Sequence, residues 1–173
     1  MLSMRAQALR WLALREHSRT ELRRKLLRAA QAKKNPKTDT NADTDEIVGA
    51  VEGALQEVDY LLDELVASGY LSEERFVEAR IHQRSRKWGL QRIQHEMRQH
   101  HLAIPEDALL ALQQTELERI QGIWQRKFGK IPATSTERAK QIRFLQARGF
   151  SIEIIRALYK RMEAPSLEEI SEL

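Results

Sequence analysis

Between residues 51 and 65 the apolar side chains fall at Val51, Ala54, Leu55, Val58, Leu61, Leu62 and Leu65. Steps of three and four place all of them on one stripe of a helix, and a strand, which alternates every two residues, does not fit. The same period returns along most of the chain, broken at glycines. Seven Gly and four Pro in 173 residues leave little material for hairpin turns. The expected fold class is all-α.

Capping signals divide the stripes into segments. Leu9, Leu12 and Ala13 share one face of a first helix that stops near His17. Ser18-Arg19-Thr20-Glu21 then reads as a capping box, in which a hydroxyl and a carboxylate each take the other residue's amide. The helix it opens turns Leu22, Leu26 and Ala29 inward. Residues 31–46 are polar, include Pro36 and carry no apolar period; at 16 residues they reach the length, about 12–15, beyond which loops are uncommon. A mobile insertion is expected there. The long third helix should end at Gly69, with Tyr70 or Leu71 folding back on its last turn. Ser72 caps the next helix, whose first turn holds Glu73 and Glu74, and Gly89 follows its end near Lys87. A short helix with Ile93 and Met97 inward precedes one that starts at Pro105 and buries Ala108, Leu109 and Leu112. Leu117, Ile120, Trp124 and Phe128 form the next stripe, closed by Gly129. Thr134 to Glu137 offers a second capping box for a helix ending at Gly149. Ser151 caps the last helix, with Ile152, Ile155, Leu158, Tyr159 and Met162 apolar, and Pro165 ends it.

These segments repeat as a unit. Leu22 and Leu26, Ile93 and Met97, and Gln141 and Leu145 occupy matching places, each pair four residues apart. Three tandem three-helix repeats are expected: residues 1–71 with the insertion at 31–46, residues 72–112, and residues 113–163, followed by an acidic tail at 164–173. A triplet of roughly 50 residues has a marginal core alone, so neighbours should stack into an elongated, curved helical array.

Charge follows the same boundaries. The chain has 29 Lys and Arg against 25 Asp and Glu, a net +4 that conceals segregation. Residues 1–34 hold 10 basic and 2 acidic side chains, and residues 35–74 hold 1 and 11. Residues 75–105 hold 7 and 2, and 106–118 hold 0 and 4. Residues 119–161 hold 11 and 2, and 162–173 hold 0 and 4. Two readings compete: helices of opposite sign pairing at about 0–1 kcal/mol per exposed contact, or basic helices presenting one long face to an anionic partner.

Several functions are excluded or unsupported. Hydrophobic residues at 42% and charged ones at 31% suit a globular core, not wholesale disorder. No apolar run reaches membrane-spanning length, and the charged start MLSMRAQALRWLALREHS does not resemble a signal peptide. With no Cys, disulfides, thiol nucleophiles and Cys-ligated zinc are excluded, in keeping with a cytoplasmic location. His17, His82, His95, His100 and His101 show no four-residue helical pair, so no metal or other cofactor is expected. No phosphate-binding or nucleophile motif occurs, and no carboxylate stands isolated among apolar residues where its pKa would rise. An enzyme is not expected.

GYLSEERF (Gly69 to Phe76) resembles the glycine-aromatic-leucine-acidic-Arg-Phe element of the RecX regulatory proteins. LREHSRTELRRKL (Leu14 to Leu26) is similar to that family's first-repeat signature, RSRKWGLQRIQHEM (Arg84 to Met97) to its second and FLQARGF (Phe144 to Phe150) to its third. The matches keep family order from about residue 5 to 162. His101 departs from the pattern, standing where the second repeat usually has Gly, so a left-handed turn or another bend is needed there. The resemblance implies tandem three-helix repeats and a modulator, chiefly an inhibitor, of the RecA recombinase. It would bind the RecA–DNA filament along its groove and restrain strand exchange, ATP hydrolysis and coprotease function.

Charge and resemblance together nominate Arg19, Arg23, Arg24, Arg86, Lys87, Arg92, Arg126, Lys127, Lys140, Arg143 and Arg148 as partner contacts. Trp88, inside a basic turn, joins them, whereas Trp11 and Trp124 read as packing residues. The expected partner is the RecA filament, met by a monomer, with weak charge-driven binding to single- or double-stranded DNA and no membrane. The alternative is a direct, largely non-sequence-specific DNA-binding protein built from helix-turn-helix-like units.

Overall fold

The computed structural model describes residues 3–34 and 44–163, with side chains at 3–32 and 51–163. The described residues form helices and no strand: α1 (Met4–Leu14), α2 (Arg19–Lys34), α3 (Thr44–Ala67), α4 (Glu73–Ser85), α5 (Leu90–Gln99), α6 (Glu106–Gln114), α7 (Glu116–Lys127), α8 (Ser135–Ala147) and α9 (Ile152–Glu163). Contacts divide the chain into two compact units, Met1–Ala79 and Arg80–Leu173.

In the first unit, the α2 stripe Leu22 and Leu26 closes on Val58, Leu61, Leu62 and Leu65 of α3, with Ala8 of α1 and Leu71 completing the buried cluster. Leu9, Trp11 and Leu12 pack against its edge. Ala13 and Val51 lie outside it, both exposed, because the α1 and α3 faces that meet α2 are narrower than the sequence stripes. The Ser18 hydroxyl accepts the Glu21 amide at 3.1 Å, as the capping box requires. The Glu21 carboxylate also takes the guanidinium of Arg15. Gly69 adopts φ +72, and the Leu71 amide reaches back to the Leu65 carbonyl at 3.0 Å, so Leu71 and not Tyr70 seals the α3 end.

The proposed insertion is shorter than its polar composition suggests. α2 continues to Lys34 and α3 starts at Thr44; Ala, Gln and Lys are good helix formers even without an apolar stripe. The rest of that segment, Pro165 and the acidic tail lie outside the described residues.

In the second unit, Ile120, Ile123 and Trp124 of α7, Leu145 of α8, Phe150, and Ile155, Leu158 and Tyr159 of α9 form one buried cluster. Gln141 sits beside it, 6% exposed, where the other repeats have Leu22 and Ile93. Its Oε1 accepts from Trp124 Nε1 at 2.7 Å and from the Tyr159 hydroxyl at 2.9 Å, while its amide donates to the Lys130 carbonyl at 3.3 Å. Ile93 and Met97 are the buried residues of α5, and Leu112 that of α6. Pro105 is the N-cap of α6 and not its first residue. His101 takes the left-handed turn in place of glycine, at φ +59.

Candidate functional site

The nominated cations separate by what they touch. On α2 of the first unit, Arg19 lies 2.8 Å from Asp63, and Arg23 grips Asp59 through two bonds of 2.6 and 2.9 Å. Those bonds from Arg23 hold the Asp59 carboxyl below the usual carboxylate range. Both acids belong to α3, so the basic α2 answers its own repeat's acidic helix. Arg24 stands exposed on α2.

The second unit arranges its cations differently. Arg86 and Lys87 occupy the turn after α4, Arg126 and Lys127 the last turn of α7, and Arg148 the C-cap of α8. Basic groups in the last turn of α7 face the negative end of its dipole, which favours them there. All five line one open groove of about 440 Å³ together with Ile123 and Phe144.

Aromatic faces and carbonyls hold these cations. Arg148 stacks 4.5 Å from the Phe144 ring centre and 5.6 Å from that of Trp88, and donates to the Lys87 carbonyl at 3.1 Å. Arg92 lies 4.1 Å over Trp88, and Lys127 5.9 Å over Phe144. Arg86 meets His82 Nε2 at 3.0 Å. Among the described residues, none of Arg86, Lys87, Arg92, Arg126, Lys127 and Arg148 forms an ion pair with a carboxylate. No carboxylate offsets their charge among the described residues, whereas Asp63 and Asp59 offset Arg19 and Arg23 on α2.

A rigid joint sets the groove's shape. The amide of Gly89 donates to the Arg148 carbonyl at 2.8 Å, and that of Gln91 to the Gly149 carbonyl at 3.1 Å, so the α5 start caps the α8 end. Backbones approach so closely that a Cβ on Gly89 would stand 2.6 Å from the Phe150 nitrogen. Gly149, at φ +81, packs against Arg92. Glu116 accepts the Leu90 amide at 2.8 Å. Arg119 donates to the carbonyls of Ser85 (3.3 Å), Trp88 (3.0 Å) and Leu112 (2.9 Å), locking the turn that carries Arg86 and Lys87. Burial pushes the Arg119 guanidinium below its ordinary value, against the pull of Glu116.

Sequence reasoning passed over Glu116, Arg119, Gly89 and Gly149 as site-shaping residues. Both glycines read only as helix stops, and nothing in their spacing says that they touch. Three nominated cations of the second unit stand away from the groove: Arg92 borders a separate cleft with Gln91 and His95, Lys140 borders another beside Phe128 and Ile131, and Arg143 is exposed on α8. Trp124 is buried packing, and Trp11 packs on the first core with Lys25 5.1 Å over its ring. Among the described residues, no group of three or more His, Asp or Glu is placed to hold a metal ion, and no helix is long and apolar enough to cross a membrane.

Two family models match the chain: RecX, second three-helix domain, over residues 72–103, and RecX, third three-helix domain, over residues 114–158. The chain is 38% identical over 161 residues to the regulatory protein RecX of Leptothrix cholodnii, covering 92% of this chain and 88% of that protein. It is 37% identical to the regulatory protein RecX of Ralstonia nicotianae, over 94% and 90% of the two chains. With the regulatory protein RecX of Herminiimonas arsenicoxydans it shares 39% identity over 93% of each. A helical chain matching two successive RecX domains, and such relatives over nearly its full length, belongs to the RecX family of regulatory proteins.

Proposed function

We propose that the protein binds the RecA–DNA filament in the cytoplasm and restrains it, lowering recombinase, ATPase and coprotease activities. The observation that carries this reading is the groove of five cations, none ion-paired with a carboxylate among the described residues. A nucleoprotein filament is a repeating polyanion, bordered by DNA phosphates and acidic protein surface. A monomer contacting it through several weak cationic sites in one chain gains by multivalency what each contact lacks. Arg86, Lys87, Arg126, Lys127 and Arg148 form the principal contact set. Trp88 joins that set through its contact with Arg148, with Arg92 over its ring, and Arg24, Lys140 and Arg143 are further surface cations. Arg19 and Arg23 act first within their own repeat.

The test is single-strand-dependent ATP hydrolysis by the recombinase, with this protein added at a substoichiometric ratio. Hydrolysis falls with time as filaments are restrained. An unchanged rate at equimolar protein overturns the assignment.

A further inference from the structure

A second cleft of the second unit, about 380 Å³, lies between the segment after α7 and the start of α8. Phe128, Ile131 and Pro132 give it an apolar wall, and Lys130 and Lys140 line it as well. Among the described residues, neither lysine forms an ion pair. The carboxylate of Glu137, which also borders the cleft, is turned to the Ala133 amide at 2.9 Å. Neither this cleft nor the acidic segment at 164–173 has a part in the groove.

The end of α9 is fixed beside the cleft. Gln141 lines the cleft, donates to the Lys130 carbonyl and accepts from the Tyr159 hydroxyl of α9. One turn beyond Tyr159, Glu163 pairs with Arg138 of α8 at 3.0 Å, and Arg138 stacks 4.5 Å over the Tyr159 ring. We propose that the cleft docks the chain's own residues 166–173, SLEEISEL. In that sequence Leu167, Ile170 and Leu173 recur every third residue, and Glu168, Glu169 and Glu172 fall between them.

The match is of two kinds. The apolar residues suit the wall of Phe128, Ile131 and Pro132, and the glutamates suit Lys130 and Lys140. Leu167 and Ile170 stand four and seven residues past Glu163, spans of up to about 14 and 25 Å. Tethering raises the segment's effective concentration to about millimolar, so contacts too weak to hold a free peptide hold a joined one. The cationic groove is the rival seat. It lies toward the other end of α8, where Arg148 is the C-cap, about 15 Å along the helix from Arg138. Attraction by charge alone favours the groove; attraction by apolar side chains beside the α9 end favours the cleft. Once seated, the segment closes the cleft to outside peptides of the same pattern.

The experiment uses the full chain. With no Cys in the sequence, Ser171→Cys gives a single attachment point for a nitroxide label. Paramagnetic broadening is then read on backbone amides of the isotope-labelled protein. Amide signals of Phe128, Ile131 and Lys140 should lose at least half their intensity, while those of Arg126 and Arg148 keep theirs. Either K130E/K140E or L167S/I170S should restore most of the lost intensity, and R126E/K127E/R148E should leave the pattern unchanged. Melting curves check the folding of each variant.

Absence of selective broadening overturns the proposal. Broadening centred on Arg148 and Lys127 that disappears in R126E/K127E/R148E puts the segment in the groove and overturns it too. A mixture of nitroxide-bearing chains with separate isotope-labelled chains should show no broadening; the full effect in that mixture assigns the cleft to a second copy and overturns the contact within one chain.

Discussion

Gln141 occupies the position that Leu22 and Ile93 fill in the other repeats, and its neighbours explain the exchange. Trp124 and Tyr159 bring an indole N–H and a hydroxyl into the second unit's core, and both need an acceptor there. Gln141→Leu restores the apolar pattern yet orphans both donors. At about 1–3 kcal/mol for each unsatisfied buried group, the loss should total about 2–6 kcal/mol in urea unfolding. Gly149 makes a second case. Its φ of +81 and its contact with Arg92 leave no room for a side chain, so Gly149→Ala should cost at least about 2 kcal/mol. Calorimetry should show a lower Tm for that variant, with groove function lost alongside because the same joint carries Arg148.

His17 governs the junction between α1 and α2. It is 1% exposed, with Nδ1 2.9 Å from the Arg15 carbonyl and Nε2 2.9 Å from Lys25 Nζ. A neutral ring satisfies both: Nδ1–H donates to the carbonyl, and Nε2 accepts from the ammonium. Burial is the largest force lowering its pKa, with Arg15 and Lys25 also lowering it and the carbonyl bond and Glu21 opposing. The unfolded chain then binds a proton below about pH 6.5 that the folded one refuses, so stability falls as pH drops through that range. Melting curves at pH 7.5 and 5.5 should show the loss, and His17→Gln should flatten it. The α2–α3 ion pairs behave differently: being half-exposed, Arg23 and Asp59 should contribute under about 1 kcal/mol, and R23A should leave filament inhibition intact.

Element boundaries were legible where a local rule governs them. Gly69, Gly129 and Gly149 all take positive φ, as helix stops should. Ser18 and Thr134 cap their helices through the expected amides, although the Glu137 carboxylate reaches the Ala133 amide and not that of Thr134. The polar segment was misjudged at both ends because helix propensity, without an apolar face, leaves no periodic signal. The groove was legible only in its residue types. Charge runs identified Arg86, Lys87, Arg126, Lys127 and Arg148, but their convergence depends on the Gly89–Gly149 approach and on Arg119, which are contacts distant in sequence. Charge runs likewise could not tell paired from unpaired arginines, since the α2 partners Asp59 and Asp63 lie 36 and more residues away.

At the scale of the molecule, the two compact units treat their cations differently. The first answers its own basic helix with acids on α3, whereas the groove of the second unit leaves its cations open. The central claim is that this open charge, not net charge, restrains the filament. The most direct measurement compares single-strand-dependent ATP hydrolysis by the recombinase in the presence of two charge-reversed variants of matched Tm. With R126E/K127E/R148E, inhibition should weaken by ten-fold or more in effective concentration; with R19E/R23E/R24E, it should weaken far less. Equal loss in both variants, or full inhibition by the groove variant, would contradict the account.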